Sequence, residues 1–441
     1  MRGGRYLYGG AVLVVLATAL TLWNPLTEAK PTPPALVAPS FQVDPFWPKP
    51  LPDNWVTGEI GGTCVDSQDH VFVVTRGFQT GGLTSPEGVA GQPEKSIASP
   101  PVIEFDPAGN VVNSWGNPAL VPAGQPNAGQ NAVLPNGMHG CYVDYQDNVW
   151  IAGNGDGVVQ KFTHDGSTML LQIGTKFTCD NGTANGGPCG NVGLEGSSTT
   201  LLNDPADIAV DPNPDPVTGK PGSVYIADGY GNHRVVVFDS AGNYLRQMGG
   251  VGTGAGQFTS GDGGHPHCVV LGKDGFVYAC DRGNDRINVF QRDGTFVMAI
   301  PVIPGTAALG TAGSAWDVDF SPDQAQTFMY ESDGGNEVMW IFDHAAALAG
   351  PSDVPANPSL PPSAAILSGF GRPGHMAGNF TFLHMMAIDS KGNIYVGETV
   401  GGRRIQRFNV VSCPGNSQGQ GNAPPGGCPG KSGNQGNQNN Q

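Results

Sequence analysis

The chain has 441 residues, which suits either two domains or one large closed repeat architecture better than one ordinary compact domain. Glycine and proline number 68 and 38, and the 39% of apolar residues fall in short clusters between them, which excludes a long helical protein. The 21 basic and 37 acidic residues leave a net charge of −16, and such a surface repels nucleic acid.

The N-terminal segment has the pattern of an export signal. Two arginines precede an apolar run over residues 9–23, and Thr27-Glu28-Ala29 offers a small-residue cleavage site. We therefore predict a signal peptide over 1–29 and an extracytoplasmic location, secreted or periplasmic. If the segment is not cleaved, it would anchor the protein to a membrane instead. We expect residues 30–54 to form an N-terminal extension.

A motif of an apolar strand, a polar turn and a second alternating strand recurs six times. Its first strands contain, in chain order, Cys64–Asp66, Tyr142–Asp144, Ile208–Asp211, Val269–Leu271, Trp316–Phe320 and Ala387–Asp389. Such short strands cannot bury both faces alone, whereas radial stacking of the repeats buries them. We therefore predict an all-β fold, a six-bladed β-propeller over 55–411, followed by a disordered tail rich in Gly, Asn and Gln over 412–441.

Eight cysteines fit an oxidising compartment. None has the CxxC spacing, so they make a poor zinc site. Their positions suggest local or cross-strand disulfides, although connectivity cannot be read from spacing. The candidate pairs are Cys64 with Cys141, Cys179 with Cys189, Cys268 with Cys280, and Cys413 with Cys428.

Three histidines occupy equivalent positions in alternate repeats. Each innermost strand ends at an Asp or its equivalent, and we call the position five residues before it the slot of that repeat. The six slots contain Gly61, His139, Ala206, His267, Trp316 and His384. Alternate blades of a six-bladed ring lie roughly 120° apart, so three imidazoles would converge on the channel axis. A single histidine there is more often a hydrogen-bonded channel residue, but the alternation favours a tris-histidine zinc site with an open position. We interpret the other six histidines as surface or polar-network residues.

Two further side chains follow second strands, whose ends open onto the histidine side of the ring. Arg76 does so in the first repeat and Tyr230 in the third. An arginine beside zinc suggests a substrate carboxylate, which a guanidinium binds bidentately. Nearby positive charge favours the phenolate form of a tyrosine, so Tyr230 could act as a general base.

The segment Val224–Phe238 resembles an NHL-type repeat, and its second half returns at Arg286–Phe290 and Arg404–Phe408. A further set of short segments lies within these repeats. Together they resemble the catalytic core of peptidyl-α-hydroxyglycine α-amidating lyase. The segments are Arg76-Gly77, Leu134-Pro135, His139-Gly140, Asp228-Gly229-Tyr230, Pro266-His267 and Leu383-His384.

The resemblance implies a zinc site and a reaction. That family splits an N-acyl-α-hydroxyglycine into an amide and glyoxylate. Its motif makes His139, His267 and His384 the zinc ligands, Tyr230 the base, and Arg76 the residue that binds substrate and stabilises charge.

The family also has a structural calcium ion, associated with an Asp after the third histidine. Here Met385 takes that place, so calcium would need a more distant carboxylate. The first histidine also follows an expanded segment, 135–138, which would reshape the pocket.

Three functions therefore stay open. The first is an exported zinc-dependent lyase acting on a carbinolamide related to hydroxyglycine. The second is a zinc-dependent hydrolase of a small ester or lactone. The third is a non-catalytic NHL propeller that binds a protein or glycan. For the enzymatic readings we expect a small-molecule or peptide substrate with a carboxylate, no nucleic acid, and contact with a membrane only through an uncleaved N-terminal segment.

Overall fold

The structure is a computed structural model that describes most of the chain between Leu36 and Ser412. The described residues are 36–79, 82–84, 87, 95–116, 134–190, 196–260, 265–350 and 359–412. The predicted signal peptide and the pair Cys413–Cys428 lie outside them, as does nearly all of the predicted tail. Within the described ranges, no helix is long and apolar enough to cross a bilayer.

The predicted six-bladed propeller is confirmed, because six four-stranded antiparallel sheets follow one another along the chain. Strands β1 (Ser40–Asp44) and β2 (Trp55–Val56) precede the first complete sheet. Blade 1 comprises β3 (Ile60–Val65), β4 (Val71–Thr75), β6 (Val102–Phe105) and β7 (Val111–Trp115), with β5 (Ile97–Ala98) pairing in parallel with β2. Blade 2 comprises β8 (Met138–Val143), β9 (Val149–Gly153), β10 (Val158–Phe162) and β11 (Met169–Gly174).

The next three blades repeat this order, with the first strand of each lining the channel. Blade 3 comprises β12 (Asp207–Asp211), β13 (Ser223–Asp228), β14 (Arg234–Phe238) and β15 (Tyr244–Gly249). Blade 4 comprises β16 (Val269–Leu271), β17 (Phe276–Asp281), β18 (Arg286–Gln291) and β19 (Phe296–Pro301). Blade 5 comprises β20 (Asp317–Phe320), β21 (Phe328–Asp333), β22 (Val338–Asp343) and β23 (Ile366–Phe370), with the short helix α1 (His344–Leu348) after β22.

The sixth blade closes the ring with strands from both ends of the described chain. It comprises β24 (Leu383–Ile388), β25 (Ile394–Glu398), β26 (Arg404–Ser412) and, at its outer edge, β1. Strands β1 and β26 are antiparallel, with Gln42 opposite Asn409. The predicted N-terminal extension, 30–54, therefore contributes a strand to the ring, which protects the outer edge of β26.

Apolar side chains fill the spaces between neighbouring blades. One buried cluster joins Trp150 and Val159 of blade 2 to Ile208 and Val236 of blade 3. Burying both sheet faces in this way is what short alternating strands require. Stacked blades thereby hold the inner strands in a fixed ring, which positions whatever side chains those strands carry at the axis.

Three of the predicted disulfides are present in the described residues. Their pairs are Cys64–Cys141, Cys179–Cys189 and Cys268–Cys280. The first joins the innermost strands of blades 1 and 2. Such crosslinks are typical of proteins that fold outside the reducing cytosol.

Candidate metal centre

The three histidines of the alternate blades meet at the channel axis. His139 lies in β8 and His384 in β24, and His267 lies two residues before β16. One nitrogen from each ring can be chosen so that all three lie within 4.8 Å of one another. The ring centroids are 4.6–4.9 Å apart, and all three side chains are buried. The structure thus brings together the residues that the slot pattern selects.

Each imidazole is held by a backbone carbonyl of the next blade around the ring. The hydrogen bonds run from His139 Nδ1 to the Ala206 oxygen at 2.7 Å, from His267 Nδ1 to the Trp316 oxygen at 2.7 Å, and from His384 to the Gly61 backbone. These acceptors are the three slots that carry no histidine. Such a bond fixes the ring orientation and leaves the other nitrogen as an acceptor, as is usual for metal-ligating histidines.

The nitrogens that remain have the properties of metal ligands. Nε2 of His267 and Nδ1 of His384 are buried without a hydrogen-bond partner. Burial lowers the pKa of all three histidines well below 6.5, and the nearby positive charges of Arg76 and Arg282 lower the pKa of His139 and His384 further. The imidazoles are therefore neutral at pH 7 and offer lone pairs, so the residues present fit a zinc-type dication.

Tyr230 lies beside this cluster, as its position after β13 predicts. Its hydroxyl donates to Nε2 of His139 at 3.1 Å, and its ring centroid lies 5.9 Å from that of His267. The close approach depends on Gly229, because a Cβ there would lie 1.7 Å from the Pro266 oxygen. Glycine thus allows the turn after β13 to pack against the segment that carries His267.

Arg76 also faces the cluster, and it is held rigidly. Its Nε donates to the Met138 oxygen at 2.7 Å, and its Nη1 donates to Glu59 at 3.3 Å. The remaining nitrogen, Nη2, is buried without a hydrogen-bond partner. The N–H groups of this buried nitrogen are available to donate to an anion. Binding an anionic substrate group is the role that the sequence predicts for Arg76.

Arg282 is a second cation at the site that our sequence reasoning missed. It follows β17 directly, as Arg76 follows β4, and only 3% of it is exposed. Its guanidinium carbon lies 4.1 Å from the Trp316 ring and 5.7 Å from the Tyr230 ring, both cation–π distances. The rule that selects Arg76 and Tyr230, taking residues that follow second strands, selects Arg282 as well when it is applied to blade 4.

Farther along the channel is a cavity of about 230 Å³ lined by the innermost strands of all six blades. Asp207, Asp317 and Asp319 are among the residues that line it. Burial raises the pKa of Asp207 and of Asp319 to about 7, and it raises the pKa of Asp317 strongly, with the Asp207 charge adding to the effect. Asp207 and Asp317 also accept backbone N–H groups of the next blade, from Val269 and Met386. These two carboxylates therefore link neighbouring blades. A calcium ion in this protein stays a prediction of the family resemblance.

Comparison with known proteins agrees with the predicted repeats and family resemblance. No family model matches the chain. NHL repeat-containing protein 3 of Mus musculus is 25% identical over 380 residues, covering 84% of this chain and 84% of that protein. A probable peptidyl-alpha-hydroxyglycine alpha-amidating lyase of Caenorhabditis elegans is 24% identical over 174 residues, 38% of this chain and 42% of that protein. The predicted resemblance is confirmed.

Longer relatives match over a smaller share of their length. Peptidyl-glycine alpha-amidating monooxygenase B of Xenopus laevis is 25% identical over 319 residues, which is 67% of this chain but 31% of that protein. The chain thus spans about a third of that relative. Among solved structures, virginiamycin B lyase from Staphylococcus aureus covers 84% of this chain at 11% identity with a TM-score of 0.43, a likeness too distant to bear on function.

Proposed function

We propose that the protein is an exported zinc-dependent lyase that cleaves an N-acyl-α-hydroxyglycine-like carbinolamide into an amide and glyoxylate. One observation carries the proposal. Three buried imidazoles, two with unpartnered nitrogens, meet beside the Tyr230 hydroxyl and a buried arginine donor. Relatives that include an amidating lyase support the reaction class, and the three disulfides support export.

Substrate binding is the first task of the residues at the site. The carboxylate of a hydroxyglycine matches the unpartnered Nη2 of Arg76, with Arg282 supplying a second positive charge. Because protein contacts hold both guanidinium groups before substrate arrives, little conformational entropy is lost in orienting them when substrate binds. The fixed carboxylate would place the neighbouring α-carbon and its hydroxyl toward Tyr230 and the histidines.

Bond cleavage then follows from proton transfer. Zinc, when bound, would supply Lewis-acid polarisation of the substrate hydroxyl oxygen. The Tyr230 oxygen, as general base, accepts the hydroxyl proton. The electron pair left on that oxygen forms the aldehyde C=O bond of glyoxylate as the C–N bond breaks, and the departing nitrogen takes the proton back from Tyr230 to become the amide. Arg76 and Arg282 stabilise the negative charge that develops near the carboxylate.

The test combines metal analysis with a glyoxylate assay on the His267→Ala variant. That change removes one of the three imidazoles, so we expect the loss of one zinc equivalent and of glyoxylate release from an N-acyl-α-hydroxyglycine. His375→Ala serves as the control, because His375 is exposed and lies outside the cluster.

Two outcomes would contradict the proposal in different ways. Unchanged zinc content in His267→Ala would remove the metal assignment. The hydrolase would be favoured by a different result. In that case His267→Ala loses zinc, and the wild type releases no glyoxylate but cleaves a small ester or lactone.

A further inference from the structure

A second group of metal-ligating side chains lies between blades 1 and 2, at the far end of the inner strands from the three histidines. We call it the seam cluster, and it contains Asp66, His70, Glu104, Asp147 and His164. Three of these residues come from blade 1 and two from turns of blade 2. From the sequence, both histidines are expected to be surface or polar-network residues, and nothing in the proposed lyase reaction uses them.

The contacts of the seam cluster centre on Asp66. Its Oδ1 accepts the backbone N–H groups of Gln68 and His70, both at 2.8 Å, so it is committed to the turn. Its Oδ2 accepts Nε2–H of His164 at 3.1 Å and lies 3.9 Å from Nδ1 of His70. This oxygen is therefore shared by two imidazoles that approach it from different blades.

Each imidazole also faces a second carboxylate. Nδ1 of His70 lies 2.6 Å from Oε1 of Glu104, and Nε2 of His164 lies 3.9 Å from Oδ1 of Asp147. Two overlapping triads result, each with its ligand atoms within 4.8 Å and with Asp66 in common. His164 is further oriented by the edge-to-face contact of its ring with Phe72, at 5.1 Å between centroids.

The carboxylates of the seam cluster have no permanently charged cation beside them in the described residues. The side chains of Asp66 and Glu104 are only 0% and 6% exposed. In the part of the chain that the structure describes, the ion pairs of these carboxylates and of Asp147 involve histidine alone, with no lysine or arginine within 4.0 Å. Burying carboxylates is costly unless a cation lies beside them, and a bound metal ion would supply a permanent positive charge at this place.

We propose that the seam cluster binds one divalent transition-metal ion, of the zinc class, with Asp66 as the shared ligand. Mixed imidazole and carboxylate donors suit zinc and its first-row neighbours, whereas calcium and magnesium prefer oxygen alone. Metal bonds of about 2.1 Å require the donors to draw inward from their present spacing. The side chains of His70 and His164 are 25% and 27% exposed, so solvent and not packed protein borders part of each ring. The ion would then join blade 1 to blade 2, as the Cys64–Cys141 disulfide does at the axis.

The experiment counts zinc per chain in the full-length protein after chelator treatment and reloading with zinc alone. We expect two equivalents in the wild type, one in His164→Ala and one in His267→Ala, and none in the double variant. Glyoxylate release should persist in His164→Ala and vanish in His267→Ala. The His375→Ala variant changes an exposed histidine outside both clusters and should keep two zinc equivalents.

A second pair of variants protects the test against a folding defect. Asp66→Asn keeps the Oδ1 acceptor of the turn while removing the shared charge, and Asp147→Asn alters a carboxylate that is 44% exposed. Both should lower zinc retention at the seam with the circular dichroism spectrum unchanged. A zinc count that stays at the wild-type value in both His164→Ala and Asp66→Asn would overturn the proposal and leave a pair of histidine–carboxylate contacts only. The count is independent of activity, so failure of the lyase proposal would not affect it.

Discussion

Replacing Tyr230 with phenylalanine separates the chemical role of its hydroxyl from the packing of its ring. The ring contacts with His139, His267 and Arg282, at 5.4, 5.9 and 5.7 Å, do not involve the oxygen and should survive. The change removes one hydrogen bond, to Nε2 of His139. Stability should therefore fall by only about 0.5–1.5 kcal/mol.

The effect on rate should be much larger. A positioned general base contributes about 10²–10⁴-fold, which at about 1.36 kcal/mol per tenfold corresponds to roughly 2.7–5.4 kcal/mol of activation free energy. Because the two arginines proposed to bind the substrate carboxylate are untouched, we expect the loss in kcat and little change in KM. Removing the hydroxyl also frees Nε2 of His139, so zinc content should be retained.

Glyoxylate release from an N-acyl-α-hydroxyglycine, measured over a range of substrate concentrations alongside zinc content, provides the assay. Tyr145→Phe is the matched control, since Tyr145 is half exposed and lies in a turn outside the site. Full activity in Tyr230→Phe would refute its role as base. Loss of zinc together with activity would show that the hydroxyl supports the metal rather than the proton transfer.

Three other perturbations test the surroundings of the centre. Arg76→Gln removes a charged donor with an unpartnered nitrogen, so KM should rise by about 10–150-fold, in line with roughly 1.5–3 kcal/mol for a charged hydrogen bond, in the same assay. Replacing Cys64 and Cys141 with serine opens a crosslink between positions 77 residues apart and should lower the free energy of unfolding by about 2–4 kcal/mol in denaturant titrations. Burial raises the pKa of Asp207 to about 7, so the folded state holds this proton more tightly than the unfolded state, and its contribution to stability falls as pH rises from about 4 to 7. Asp207→Asn should flatten that decline in melting temperature, whereas an unchanged profile would contradict the assignment.

The repeat pattern was sufficient to predict the propeller and the meeting of the three histidines. Both depend on periodicity: alternating strands predict the blades, and equivalent slots in alternate blades must face one axis. Tyr230 and Arg76 follow from the same logic, because strand direction determines which turns open onto the histidine side.

Features that depend on contacts between distant segments could not be predicted in this way. Strand β1 carries no repeat signature, and its partner β26 lies at the other end of the described chain. The seam cluster likewise depends on the rotation of blade 2 against blade 1, which brings His164 over Phe72 and next to Asp66. Local sequence patterns contain no information about that rotation.

The carbonyl contacts of the three histidines make the centre dependent on the whole circle of blades. Each imidazole is oriented by the following sector, and the last contact returns from His384 to Gly61 in the first sector. A nascent or clipped chain that lacks either terminal sector would therefore hold a misaligned ligand set. The proposed activity should therefore appear only after the sixth blade has closed the ring, and a measurement of turnover would show whether all six blades are in place.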